Sequence, residues 1–268
     1  MHPFQPAVQA LIRWGQRIRA GWAAWWRALL LAAQMLVLAV LPSSYRRGAQ
    51  RQTVLLNLYQ ATAPLLTWFV VLSALISLVL IRIVVATATS YGLSQYALEV
   101  LVRTLVLELI PLYAALFVAL RYAMPGAQHV RRLLAAQEQQ GMAPASQALL
   151  RTELLPRALA AMFSMLLLAA ISCVVALVLA YLTVYGFSPW GLPAYTRGVG
   201  SVFTPAVTLI FSLKTLFFSL AVAVVPLAAA GQRDADGRVV HRSDISEFAR
   251  LFSVLLLIEV ISLLGNYY

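Results

Sequence analysis

Residues 104–123 read TLVLELIPLYAALFVALRYA, and apart from Glu108 and Arg121 the stretch is suited to the hydrocarbon interior of a membrane. A lone carboxylate at such a depth costs at least about 2.5 kcal/mol. Glu108 therefore needs a proton, a cation or a place outside the bilayer, and the rest of the chain decides among these.

The chain has 268 residues, 62% of them hydrophobic and only 11% charged, with a mean hydropathy of +0.84. That is more apolar surface than a water-soluble core of this size can hide, so an all-α polytopic membrane protein is expected. The net charge of +11 would suit nucleic acid in a soluble protein. Here the arginines follow topology, and no nucleic-acid partner is needed to explain them. Cys173 is the single cysteine, lies in an apolar run and is read as a packing residue.

Five runs, roughly 65–87, 99–124, 154–184, 203–230 and 247–266, are long enough to cross about 30 Å of hydrocarbon as helices. Arg131, Arg132 and Arg151 fall in the second connection and Arg233, Arg238, Arg242 and Arg250 in or beside the fourth. The first connection has no arginine and the third only Arg197. The positive-inside rule then places the N-terminus in the cytoplasm and the C-terminus on the periplasmic or external side. A further apolar run, Trp22 to Leu41, has Arg13, Arg17, Arg19 and Arg27 before or within it and Arg46, Arg47 and Arg51 after it. Spanning would strand one basic flank, so residues 1–53 are expected as an interfacial amphipathic helix region with Trp22, Trp25 and Trp26 at headgroup level. A sixth span is the alternative. Residues 54–268 then form the five-helix domain.

Counting about 1.5 Å per residue brings Glu108, Lys214 and Glu259 to a similar depth on the second, fourth and fifth spans. Lys214 is the only lysine in the chain. Such a group is either a buried ion pair that fixes helix register or the polar lining of a substrate cavity. Pro111, one turn past Glu108, is expected to disturb the helix and open the wall beside the carboxylate, and Pro226 to act similarly in the fourth span. Arg82, Arg103, Arg121 and Arg157 lie nearer helix ends, where they can snorkel.

The connection 125–150 offers an apolar face of Val130, Leu133 and Leu134, with Arg131, Arg132, Gln137 and Glu138 on other faces. That pattern predicts a short amphipathic helix lying parallel to the membrane. His129 and His241 lack metal-ligand spacing. The chain shows no nucleotide-binding glycine loop, nucleophile elbow or Cys/His cluster, so no metal or cofactor is expected in it and any ATP hydrolysis is assigned to another subunit.

The order Glu108-Leu-Ile-Pro111, Arg121, Pro156-Arg157, Lys214-Thr-Leu-Phe-Phe218 and Glu259 resembles the MlaE (YrbE) permease family of MCE-type ABC lipid transporters. The resemblance implies a permease that dimerises, with itself or a related permease, in the bacterial cytoplasmic (inner) membrane. It further implies an ABC ATPase below, an MCE-domain protein outside and phospholipid or a related lipid between the helices. Glu108 and Lys214 match the family's functional glutamate and lysine, while Glu259 stands where an aspartate is usual. The family's ATPase-facing stretch is replaced here by AQHVRRL, which contains Arg131 and Arg132, and by Gln137-Glu138, and these four residues are the coupling candidates. The alternative reading is a non-transporting membrane scaffold that anchors an extracytoplasmic lipid-binding assembly. An ion-coupled carrier is disfavoured, because no inverted repeat is visible.

Overall fold

The structure is a computed structural model that describes residues 48–93, 96–139, 149–232 and 243–267, together with positions 15, 26, 30, 33 and 34. Trp22, Trp25 and most of the alternative sixth span lie outside the described residues, and Trp26 is helical and exposed. Among the described residues the fold is all helix, with no strand. The elements are α1 (Gly48–Ser90), α2 (Ala97–Glu138), α3 (Leu155–Tyr185), α4 (Leu192–Val202), α5 (Pro205–Ala230) and α6 (Asp244–Tyr267). All but α4 correspond to helices long and apolar enough to cross a membrane.

Three π-helical segments, Val102–Leu109, Ala119–Ala123 and Leu150–Leu154, each end two residues before a proline: Pro111, Pro125 and Pro156. The cause is local. A proline inside a helix has no N–H to donate, and its ring collides with the carbonyl four residues back. Widening the preceding turn to an i→i+5 pattern moves that carbonyl and finds new partners for its neighbours. Accordingly the Ile110 N–H donates to the Leu105 carbonyl and the Met124 N–H to that of Ala119, each five residues back. Pro64 and Pro226 lie inside α1 and α5 without such a segment.

This device corrects the expectation of a separate helix parallel to the membrane after Pro125. The segment Met124–Gln139 instead continues α2 without a break in helical structure, giving a helix of 42 residues, or about 63 Å. Ala127, Val130 and Leu134 are buried against Ala158 of α3 and Val224 and Leu227 of α5. The π turn absorbs the proline and this burial holds the extension in place.

The bundle is ordered by its small residues. Ala158, Ala161 and Ser164, then Ser172, Ala176 and Ala180, recur along α3 at three- and four-residue spacing on either side of Leu168, and all are buried. Small side chains let neighbouring backbones approach closely where no hydrophobic effect drives helix association. Packing runs chiefly between α1 and α3, between α6 and α5 and between α3 and α5, with α2 touching both α3 and α5. Ser164 Oγ donates to the Ala61 carbonyl at 2.7 Å, and Ser73 Oγ meets Tyr113 Oη at 2.6 Å. These bonds pin α1 to α3 and α2.

The connection between α3 and α5 holds an element that the hydropathy pattern hides. Gly186, at φ +65°, ends α3 in a conformation that side-chain-bearing residues resist. A 3₁₀ turn, Pro189–Gly191, then leads into α4. Gly191 is required by contact, because a Cβ there would lie 2.7 Å from the Tyr185 ring. Thr204 caps α5 by accepting the Val207 N–H.

Candidate functional site

Glu108 is the eleventh residue after the start of α2 at Ala97, Lys214 the ninth after the start of α5 at Pro205, and Glu259 the eighth before the end of α6 at Tyr267. These three helix ends face the same end of the bundle, so the three groups share a level and meet. The Lys214 ammonium donates to Glu108 Oε2 and, at 3.0 Å, to Glu259 Oε1. Its third hydrogen bond goes to the Leu107 carbonyl at 3.1 Å. That acceptor exists for a sequence reason: an α-helical N–H at position 111 would have used it, and Pro111 has none. The π segment thus supplies both Glu108 and a backbone ligand for the ammonium.

Lys214 is 2% exposed and Glu259 9%. The Phe218 ring, one turn along α5, lies with its centroid 5.8 Å from Nζ. All three ammonium hydrogens are satisfied, yet two carboxylates face one cation. The remaining Glu108 oxygen accepts from Asn266 Nδ2 at 3.3 Å. Asn266, at the end of α6, is a site residue that motif reasoning missed, because a single asparagine near a helix terminus carries no distinctive signal. A small cleft lined by Arg103, Leu107, Glu108, Val207 and Asn266 reaches this group and has room for about one water molecule.

A larger apolar slot of about 280 Å³ opens between the C-terminal end of α1 and the start of α2. Ile83, Val84, Tyr91, Tyr96 and Val100 are among its walls. Its volume falls just below the range of ordinary ligand pockets and its lining is almost wholly hydrocarbon. No part of the sequence reading singled it out, since it forms between two helices that are individually unremarkable in composition.

The residues expected to couple to a partner are placed differently from one another. Arg131 is 6% exposed and forms an ion pair with Glu247, itself 6% exposed, in the first turn of α6. Arg132 is exposed, while Gln137 and Glu138 are half-buried. The alternation follows from helical geometry: once Val130 and Leu134 bury, Arg131 turns inward beside them and Arg132 turns out. Arg157 pairs with Glu153 one turn earlier, and Arg103 with Glu99 at 3.0 Å.

A sequence model of the family described as Permease MlaE matches residues 54–264. No curated protein matches the chain. The match runs through all five candidate spans and includes every member of the charged group except Asn266.

Proposed function

The chain belongs to the MlaE permease family, a membrane permease of a lipid transport system, and from that premise we propose that it is the membrane-spanning subunit of an ABC-type MCE transporter. In this reading it moves phospholipid or a related lipid between the cytoplasmic membrane and an extracytoplasmic MCE carrier. A separate ATPase subunit hydrolyses ATP, and a second permease copy completes the translocation path.

The observation that carries the reading is the fully hydrogen-bonded Lys214 set between Glu108 and Glu259, beside a cleft. A buried ion pair serves poorly as mere glue, since apolar residues of similar volume fix helices at lower cost. A polar group with one excess carboxylate, in a fold that also carries a hydrocarbon-lined slot, suits instead a ligand with both a polar and an apolar part. The slot takes acyl chain, and the charged group polarises and orients what passes the headgroup region.

The test is a reconstituted complex with its copurified ATPase. Glu108→Ala is expected to lower lipid transfer several-fold while the complex stays assembled and still hydrolyses ATP. Loss of the assembled complex in both Glu108→Ala and Lys214→Ala would assign the group to the fold alone. A complex purified without any ATPase would support the scaffold reading, which one observation favours: Arg131 is spent on Glu247 rather than offered at the surface.

A further inference from the structure

Glu259, Ser262 and Asn266 recur at three- and four-residue spacing and so share one face of α6. Glu259 is 9% exposed and Ser262 7%. Among the described residues Glu259 Oε2, Ser262 Oγ and Asn266 Oδ1 are buried without a hydrogen bond. At Glu259 the cause is a shortage of donors. An ammonium has three hydrogens, and those of Lys214 go to Glu108 Oε2, Glu259 Oε1 and the Leu107 carbonyl. Glu259 Oε2 therefore lies 3.0 Å from Nζ with no hydrogen to accept. Both Glu108 oxygens, by contrast, are taken, one by Lys214 and the other by Asn266 Nδ2.

Charge and hydrogen bonding point to the same occupant. One ammonium between two carboxylates leaves the group one negative charge in excess, at a depth where the membrane does not solvate it. The surrounding elements do not cancel that charge. On α2, Arg103 pairs with Glu99 at 3.0 Å, and the Tyr113 hydroxyl meets Ser73. On α3 the Cys173 thiol faces the Val106 carbonyl. Arg82 of α1 and Arg197 of α4 are exposed. A metal cation suits the place poorly, because the ammonium already lies against both carboxylates and only Glu108 and Asn266 bring side-chain oxygens to the cleft. A proton needs no coordination shell. On Glu259 Oε2 it converts an acceptor without a donor into a donor, with Asn266 Oδ1 and Ser262 Oγ on the same face of α6 to accept from it.

We propose that the group of Glu108, Lys214 and Glu259 binds one proton, carried on Glu259 Oε2 and exchanged through the cleft beside Asn266, and that lipid transfer requires this proton. The cleft has room for the one water molecule that would pass it. Proton binding stands on the geometry; its link to transfer rests on the permease reading given above. With the proton bound the group is neutral, and a phosphate-bearing headgroup passes without repulsion. With the proton lost, the excess carboxylate repels the phosphate in a medium that screens little. Transfer then falls as rising pH strips the proton.

The test begins with infrared difference spectroscopy of the full chain, purified with its copurifying subunits in lipid nanodiscs, between neutral and alkaline pH. The expected result is a protonated-carboxyl band at neutral pH that disappears at alkaline pH. Glu259→Gln should abolish the band and Glu259→Asp should keep it. Glu108→Gln should abolish it as well, although Glu259 is intact, because the excess charge is then gone. Lipid moved per ATP hydrolysed is next followed against pH in the reconstituted complex. The parent should decline several-fold toward alkaline pH, whereas Glu259→Gln, which mimics the protonated state, should keep transfer and lose the pH dependence. Absence of the band at neutral pH, a band indifferent to both glutamine variants, or a band lost when sodium replaces choline in the buffer would overturn the proposal. A pH-independent parent that retains the band would overturn the link to transfer. A band that behaves as expected in a complex that moves no lipid at any pH would support the proton site and sink the permease reading instead.

Discussion

The Lys214 ammonium sits 3.1 Å from the Leu107 carbonyl, the acceptor left without an α-helical donor because residue 111 is proline. Pro111 is thereby part of the charged group although it carries no charge. Replacing it by alanine restores a competing N–H. In a helix interior proline is about 3 kcal/mol less favourable than alanine, so Pro111→Ala should leave the melting temperature of the complex unchanged or raised. Lipid transfer should nevertheless fall several-fold, because the π turn that presents Glu108 loses its cause. A lowered melting temperature with normal transfer would reduce Pro111 to a packing residue.

Removing the cation alone is expected to be worse than removing all charge. Lys214→Met leaves Glu108 and Glu259 facing each other in a buried site, and breaking such a pair costs about 3–5 kcal/mol. The triple variant Lys214→Met, Glu108→Gln, Glu259→Gln keeps shape and hydrogen-bonding capacity without charge. It should recover most of the folded yield seen by size exclusion, yet not the lipid transfer. Recovery of both would show that the charges serve no function beyond mutual neutralisation.

Depth arithmetic was enough to bring Glu108, Lys214 and Glu259 together, because spacing along a helix is rigid and the bilayer fixes the ends of each span. The five spans were legible for the same reason, in long apolar runs. What stayed hidden depends on partners rather than pattern. Asn266 acts only because α6 delivers it to Glu108, and α4 lies in a connection whose composition resembles a loop. The continuity of α2 past Pro125 was misread for a physical reason as well: a proline-glycine pair ordinarily ends a helix, and only the π segment before it, together with burial of Val130 and Leu134, keeps the helix going. Arg131 looked like a surface charge until that burial fixed its direction.

Two glycines near α4 should answer differently to the same change. A Cβ at Gly191 meets the Tyr185 ring at 2.7 Å, while at Gly200 nothing lies within 4 Å. Tyr185 is held by stacking with Tyr181 and an edge contact with Tyr195, whose hydroxyl donates to the Leu177 carbonyl at 2.8 Å. The ring has little freedom to yield, so Gly191→Ala should destabilise the protein by about 1–3 kcal/mol, the usual cost of overpacking. Gly200→Ala, inside α4, should be neutral or slightly stabilising. Thermal unfolding in detergent measures both, and equal melting temperatures would mean that the turn rearranges freely.

Arg131 and Glu247 offer a separation of fold from partner contact at the end of the bundle where α2 ends and α6 begins. Each is buried, and the two tie the extension of α2 to the first turn of α6. Arg131→Glu places two acids together and should lower the melting temperature strongly, whereas the exchange Arg131→Glu with Glu247→Arg should recover a substantial part of the loss, since the pair is restored with its sign inverted. Arg132, one residue on, points outward. Arg132→Glu should leave the melting temperature within about 0.5 kcal/mol of the parent, as isolated surface changes do, but reduce the amount of ATPase that copurifies. If Arg132→Glu unfolds the protein, or if it leaves a copurifying ATPase undiminished, then this face of α2 is not where the partner binds.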